Sequence, residues 1–320
     1  MSKKILITGG CGFVGHQLTC SLLEKGHKVT VFDTQWFGNY LPEDPNLTIV
    51  QGDVRDTDAI PMEGIETIFH LANIANDPCS DLNSKLNWEV NVLATMQMVE
   101  KAIERQVKQF VFASSGSVYG VKEELEVTED LSLVPISDYN KTKMISERVL
   151  LSYQDQIQVS CIRPATVCGY SPRMRLDLSV NMLTMQALQN KKITVFGGDQ
   201  TRPNIHIQDL VRVYHHVLEK PEKLEGIFNA GFENISIMDI AKRAAKHVDA
   251  EIIVTESNDP RSYRLSSKKL ESTGFKRKYS VEDGILEVID AYNNNGLRIE
   301  DHNFNIKTML KLIKNGEISD

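Results

Sequence analysis

Three serines surround a glycine where the run FVFASSGSVYG ends (residues 110–120), and the segment DYNKTK follows at 138–143. Tyr139 and Lys143 are four positions apart, so on a helix they share one face, a single turn from each other. An ammonium beside a phenol favours the tyrosinate and lowers a pKa that is ~10 in the free side chain. That makes tyrosine a usable base near neutrality. A serine hydroxyl can hold a substrate alcohol in line while its proton passes to the tyrosine and a hydride leaves for an acceptor. Ser114, Ser115 and Ser117 are all placed to be that serine. Loop serines at a strand end are ordinary, so the chemistry depends on whether the chain positions a hydride acceptor nearby.

The elements that would do so are present. KKILIT, KVTVF, LTIVQ, TIFHLA, QFVFAS and VSCIRP are short β-branched runs of the kind that fill a buried parallel sheet, and helical stretches separate several of them. The expected fold is α/β, a Rossmann-type doubly wound parallel sheet with a smaller α+β substrate-binding lobe. The sheet domain is expected over 1–167, with segments around 203–230 returning to it, and the lobe over most of 168–320. Directly after the first strand, TGGCGFVG sets Gly9, Gly12 and Gly15 in the spacing G-x-x-G-x-x-G, with Phe13 and Val14 opening the next helix. Such a turn lets backbone N–H groups approach a pyrophosphate at a helix N-terminus. Asp33 closes the second strand, placed to bond adenosine ribose hydroxyls. No Arg or Lys follows it before Arg55, so a 2′-phosphate would meet an unneutralised carboxylate and NAD is expected over NADP. In QGDVRD, Asp53 can accept from an adenine amino group beside Val54. Leu71 and Ala72 of HLAN are expected to line the cofactor cleft, with His70 packed inside the sheet.

Composition narrows the class. The chain has 320 residues, 41% hydrophobic and 25% charged, with a formal charge of −7. No basic footprint invites nucleic acid, and no apolar run approaches the ~20 residues of a membrane helix. Five cysteines with no C-x-x-C suggest neither a disulfide framework nor a zinc site, so no metal is expected. A cytoplasmic protein is the expectation.

In their order along the chain, TGGCGFVG, GDVRD, HLA, NVLAT, SSGSVYG, YNKTK, RPATVCG, VFGGDQTRPNIHIQD and DPRSYR resemble the extended short-chain dehydrogenases/reductases, specifically the nucleotide-sugar epimerases and dehydratases. The resemblance implies that Tyr139 is the base and Lys143 its ionising partner and nicotinamide-ribose ligand. It makes Ser115, four residues before the tyrosine of VYG, the substrate clamp. It places Asn91 near the catalytic group and Val167 on the cofactor. It also gives the substrate diphosphate to Arg202 and Arg261, and the nucleotide end to Asn181, Val195 and Phe196. Oxidation at C4 of a UDP- or GDP-linked sugar follows, as a 4-epimerase or 4-dehydrogenase in surface-polysaccharide precursor synthesis, by a homodimer. Related 4,6-dehydratases carry an acidic pair where this chain has Gly116 and Ser117, which speaks against water elimination. A dehydratase, a 4-keto reductase and a non-catalytic dinucleotide-sensing module stand as the alternatives. Cys168, in VCGY, is expected near the cleft.

Overall fold

The computed structural model describes residues 2–256, 262–294 and 296–318. Its strands are β1 (Lys4–Thr8), β2 (Lys28–Asp33), β3 (Leu47–Gln51), β4 (Thr67–His70), β5 (Gln109–Ala113), β6 (Gln158–Pro164), β7 (Thr166–Cys168), β8 (Lys192–Phe196), β9 (Thr201–His206), β10 (Gly226–Ala230), β11 (Glu233–Ser236) and β12 (Glu251–Thr255). The helices are α1 (Phe13–Glu24), α2 (Asp77–Leu82), α3 (Ser84–Trp88), α4 (Ala94–Glu104), α5 (Asp138–Leu151), α6 (Ser179–Asn190), α7 (Ile207–Glu219), α8 (Ile237–Val248), α9 (Lys268–Ser272), α10 (Val281–Asn294) and α11 (Asn305–Lys314). A π-helical turn at Glu89–Leu93 joins α3 to α4.

Seven strands form one parallel sheet in the order β3-β2-β1-β4-β5-β6-β10. Helices cover both faces, so its central strands are buried on both sides and read as unbroken apolar runs rather than alternating ones. The order reverses between β1 and β4. A crevice opens there beyond the carboxyl ends of the strands, where ligands of this architecture settle. Asp33 ends its strand there, and the glycine turn, Asp53, Leu71 and the serine loop follow the ends of theirs.

The second lobe packs α6 between α8 and α10 around a core that includes Leu183, Ile193, Ile240 and Ile285. Two small sheets, β11-β9-β7 and β12-β8, belong to it. β10 takes the edge of the large sheet beside β6, and α7 packs on α1. The last described helix, α11, lies against α2 and buries Met309 and Leu312 in the cluster that holds Ile74 and Cys79. No helix among the described residues is long and apolar enough to cross a membrane.

Candidate active site

A cleft of about 360 Å³ runs along the carboxyl edge of the sheet. At one end it is lined by Ser115, Tyr139 and Lys143. Ser137 starts α5 by accepting from the Asn140 N–H at 3.2 Å, an N-cap that fixes where the helix begins and so where Tyr139 points. The Ser115 hydroxyl acts on the Tyr139 phenol and favours its ionised form. Ser115 also shares a 2.7 Å bond with Ser117, which donates to Asn140 Oδ1. Ser114 turns away and donates to Glu147 at 2.5 Å. Of the three serines, Ser115 is therefore the one whose hydroxyl acts on the tyrosine. Behind it lies a buried network in which the Arg163 guanidinium forks onto Glu147 and donates to Tyr119, which donates to Asn229.

The electrostatics differ from the sequence expectation. Burial pushes the Tyr139 phenol up to about 12, and the charge that opposes this most is Arg175, not Lys143. Burial likewise pushes Lys143 down to about 7, against the attraction of Glu147 one turn further along α5. Its ammonium donates to the Ala113 carbonyl at 2.5 Å and sits 4.7 Å from the Phe112 ring centroid. In this state desolvation is the largest influence on both groups. The correction concerns which charge steadies the phenol; the shared helix face stands.

At the other end the cleft fits a dinucleotide. A Cβ on Gly15 would lie 2.1 Å from the Gly9 carbonyl oxygen, and one on Gly9 (φ +75°) would lie 2.6 Å from the Ala72 amide nitrogen. Only glycines allow the turn to lie this close to β4. Gly12, Phe13, Val14, Asp53, Val54, Leu71, Ala72 and Val167 line the same wall. The Asp33 carboxylate accepts from the Cys11 N–H at 2.9 Å and the Gln35 N–H at 2.7 Å, which aims it into the cleft. The Asn73 side chain, also on the wall, has a buried amide nitrogen and oxygen with no hydrogen-bond partner. Buried amides are rarely left so, and a polar ligand would complete this one. Asp53 is forked by Arg55, with Nη2 to Oδ2 at 2.8 Å, so an adenine amino group would share that carboxylate.

Several expected residues lie off the cleft wall. Asn91 is fully buried; it accepts from the Ile74 N–H at 2.9 Å and donates to Thr142, tying the loop after β4 to α5. The Asn181 amide is engaged by the Gly169 N–H and the Arg175 carbonyl. Val195 faces the lobe core and Phe196, its neighbour on β8, faces solvent with 59% exposure. Arg202 is half-buried on β9 and is not on the cleft wall. Arg261 lies outside the described residues. The Cys168 thiol is buried against Gly284, away from the wall, and burial pushes its pKa well up. His70 is buried and bonds Thr8 at 2.7 Å and Thr95 at 2.9 Å, a packed strand residue.

Other wall residues had no place in the sequence reading: Asn73, Asn76, Arg173, Arg175 and Asn305. The stretch RMRLD before α6 alternates, sending Met174 and Leu176 into the core and Arg173, Arg175 and Asp177 the other way. Arg175 forks onto Asp177 with both bonds at 2.9 Å, and Asn76 donates to the same carboxylate at 2.8 Å. Asn76 takes φ +80° while capping α2, so the two lobes are bolted together beside Tyr139. Period-two alternation was the available signal for the arginines. Nothing in the sequence pointed to Asn305.

Residues 5–231 match the model of the NAD dependent epimerase/dehydratase family. An uncharacterized UDP-glucose epimerase of Bacillus subtilis, YtcB, is 31% identical over 89% of this chain and 96% of its own length. A UDP-glucose 4-epimerase of Lactobacillus helveticus is 27% identical over 88% of this chain and 94% of its own. The solved structure of MoeE5 in complex with UDP-glucuronic acid and NAD superposes with a TM-score of 0.81 and 26% identity, covering 92% of this chain and all of that one. Glycine turn, strand-end acid, serine–tyrosine contact and whole-length likeness agree, and the chain belongs to the NAD-dependent nucleotide-sugar epimerase/dehydratase family of extended short-chain dehydrogenases/reductases.

Proposed function

We propose that the protein oxidises the C4 hydroxyl of a nucleotide-diphosphate sugar and returns the hydride to the opposite face, acting as a 4-epimerase. The observation that carries this reading is that Ser115, Tyr139 and Lys143 stand together on the cleft wall, with Ser115 acting on the phenol and Lys143 one turn along the same helix. NAD, when bound, supplies a two-electron acceptor at that end. Ser115 orients the sugar hydroxyl toward Tyr139. As the C4–H bond breaks, its electron pair leaves as hydride and the hydroxyl proton passes to the Tyr139 oxygen; reversing both on the turned keto sugar gives the epimer. Arg175 and Ser115 favour the phenolate that this transfer requires. Lys143 is proposed to hold the nicotinamide ribose.

The wall composition supports epimerisation over dehydration. Eliminating water needs an acid and a base beside C5 and C6. Among the described residues the carboxylates on the wall are Asp33 and Asp53, at the ends of β2 and β3; Asp77, which acts on Tyr139 from off the wall, accepts from Ser137, and Asp177 is engaged by Arg175 and Asn76. The positions that follow Ser115 are Gly116 and Ser117. A UDP-linked sugar is the proposed substrate, supported by the relatives' names and by the UDP-sugar in MoeE5. Arg202 and Arg261 are proposed to hold its diphosphate on the strength of their motifs, with Asn181, Val195 and Phe196 toward the base. A homodimer through α4 and α5 is part of the reading. Leu93, 45% exposed, offers apolar surface there, and a dimer in analytical ultracentrifugation is expected.

The test is incubation with UDP-, GDP-, dTDP- and CDP-sugars, followed by NMR and mass spectrometry of the products. Inversion at C4 at unchanged mass is expected. Loss of water would replace the reading with a dehydratase. A released keto sugar with equivalent reduced nicotinamide would replace it with a 4-dehydrogenase.

A further inference from the structure

Three cationic side chains stand on the cleft wall among the described residues: Lys143, Arg173 and Arg175. Lys143 is turned to the Ala113 carbonyl and Arg175 is forked by Asp177. Arg173 differs. It is 3% exposed, donates to the Met174 carbonyl and, at 2.6 Å, to Asn305 Oδ1, and lies 4.1 Å from the Phe37 ring centroid. Its Nε–H has no partner, and no carboxylate among the described residues lies within ion-pair distance of it. A guanidinium taken out of water without an anion is costly, and burial together with neighbouring Arg175 pushes this one down to about 9.

Position says what would compensate it. Arg173 interacts electrostatically with Asp33, at the adenosine-ribose end, and with Arg175, which in turn acts on Tyr139 at the reacting end. The diphosphate of a dinucleotide stretched along the cleft lies between those ends. The glycine turn meets it with backbone N–H groups, and TGGCGFVG brings no cation of its own.

We propose that Arg173 is the counter-cation for the diphosphate of the bound dinucleotide, held over the cleft by Phe37 and by Asn305 of the C-terminal helix. The substrate lobe and α11 thereby become parts of the cofactor site. Closing a neutral glycine turn with an arginine from the other lobe also couples cofactor retention to the packing of α11 on α2. The inference rests on the dinucleotide and not on the sugar, so a result against C4 chemistry leaves it standing.

The test is calorimetric titration of the full chain, stripped of nucleotide, with NAD, 5′-ADP, 2′-AMP and adenosine. Arg173→Gln is expected to weaken NAD and 5′-ADP by ~10–100-fold, the range of one charge-assisted hydrogen bond, and to leave adenosine unchanged. Its nucleotide-free melting temperature should equal or exceed that of the wild type, because a buried unpaired charge is gone. Asn305→Asp, which hands Arg173 a carboxylate, should also weaken 5′-ADP while leaving adenosine alone. Equal losses for adenosine and 5′-ADP would make Arg173 a packing residue and overturn the proposal. So would a loss confined to 2′-AMP, which would assign the cation to a 2′-phosphate. Unchanged 5′-ADP affinity in both variants would do the same.

Discussion

The two ends of the cleft are built in opposite ways. At the reacting end, Ser115, Tyr139 and Lys143 come from one domain, and two of the three from a single helix turn. Toward the adenosine end, Asp33 and Phe37 share one segment, while Arg173 and Asn305 come from two distant ones, one of them the last helix described. Behind the reacting end lies a fully satisfied buried ion pair, Glu147–Arg163 at 2.6 Å, with both partners essentially unexposed. Elsewhere on the wall, Arg173 keeps an unpartnered Nε–H and Asn73 an unpartnered amide. Residues that must hold a geometry before substrate arrives are locked by protein partners. Residues that meet a charged ligand keep donors in reserve.

The largest effect expected from this contrast is structural. Glu147→Gln strands the Arg163 charge in the core and should cost ~3–5 kcal/mol in denaturant unfolding, while Glu147→Leu with Arg163→Met should cost far less. A small loss in the single variant would mean that the reacting end does not depend on this pair. A mid-sized effect is expected at Asp33. Wild type should prefer NAD to NADP, and Asp33→Ala should narrow the gap by ~10-fold, because removing the carboxylate removes its repulsion of a 2′-phosphate. Equal wild-type affinities in calorimetry would contradict the reading. The smallest effect is in the pH dependence of stability. Lys143 is depressed to about 7 in the fold from its ordinary 10.5. Between those values the unfolded chain holds the proton that the folded chain releases, so stability should rise with pH across that window. Melting of nucleotide-free Lys143→Met should show a flatter rise; an identical slope would mean that Lys143 is not desolvated.

The same contrast sets how much the sequence could tell. The six leading strands were legible because a parallel sheet covered on both faces demands continuous apolar β-branched runs. The glycine turn was legible because its spacing follows from backbone contact, seen at Gly9 and Gly15. Tyr139 and Lys143 were legible because helix periodicity relates positions on one element. Arg173 and Asn305 are 132 positions apart and meet only when α11 docks, and no local pattern encodes that. The phenol's electrostatics were misjudged for a related reason. Spacing reports that Lys143 is near Tyr139, but not that both are desolvated or that Arg175 arrives from the other lobe.

The central claim is that Tyr139, on the wall with Ser115, takes the proton when a sugar hydroxyl is oxidised. Single-turnover absorbance of reduced nicotinamide after mixing the NAD-loaded enzyme with its nucleotide sugar reports that step apart from product release. Tyr139→Phe keeps the ring and removes the proton acceptor, so hydride transfer should fall by ~10²–10⁴-fold with sugar and NAD binding retained. Reduced nicotinamide forming in Tyr139→Phe as fast as in the wild type would show that Tyr139 is not the base.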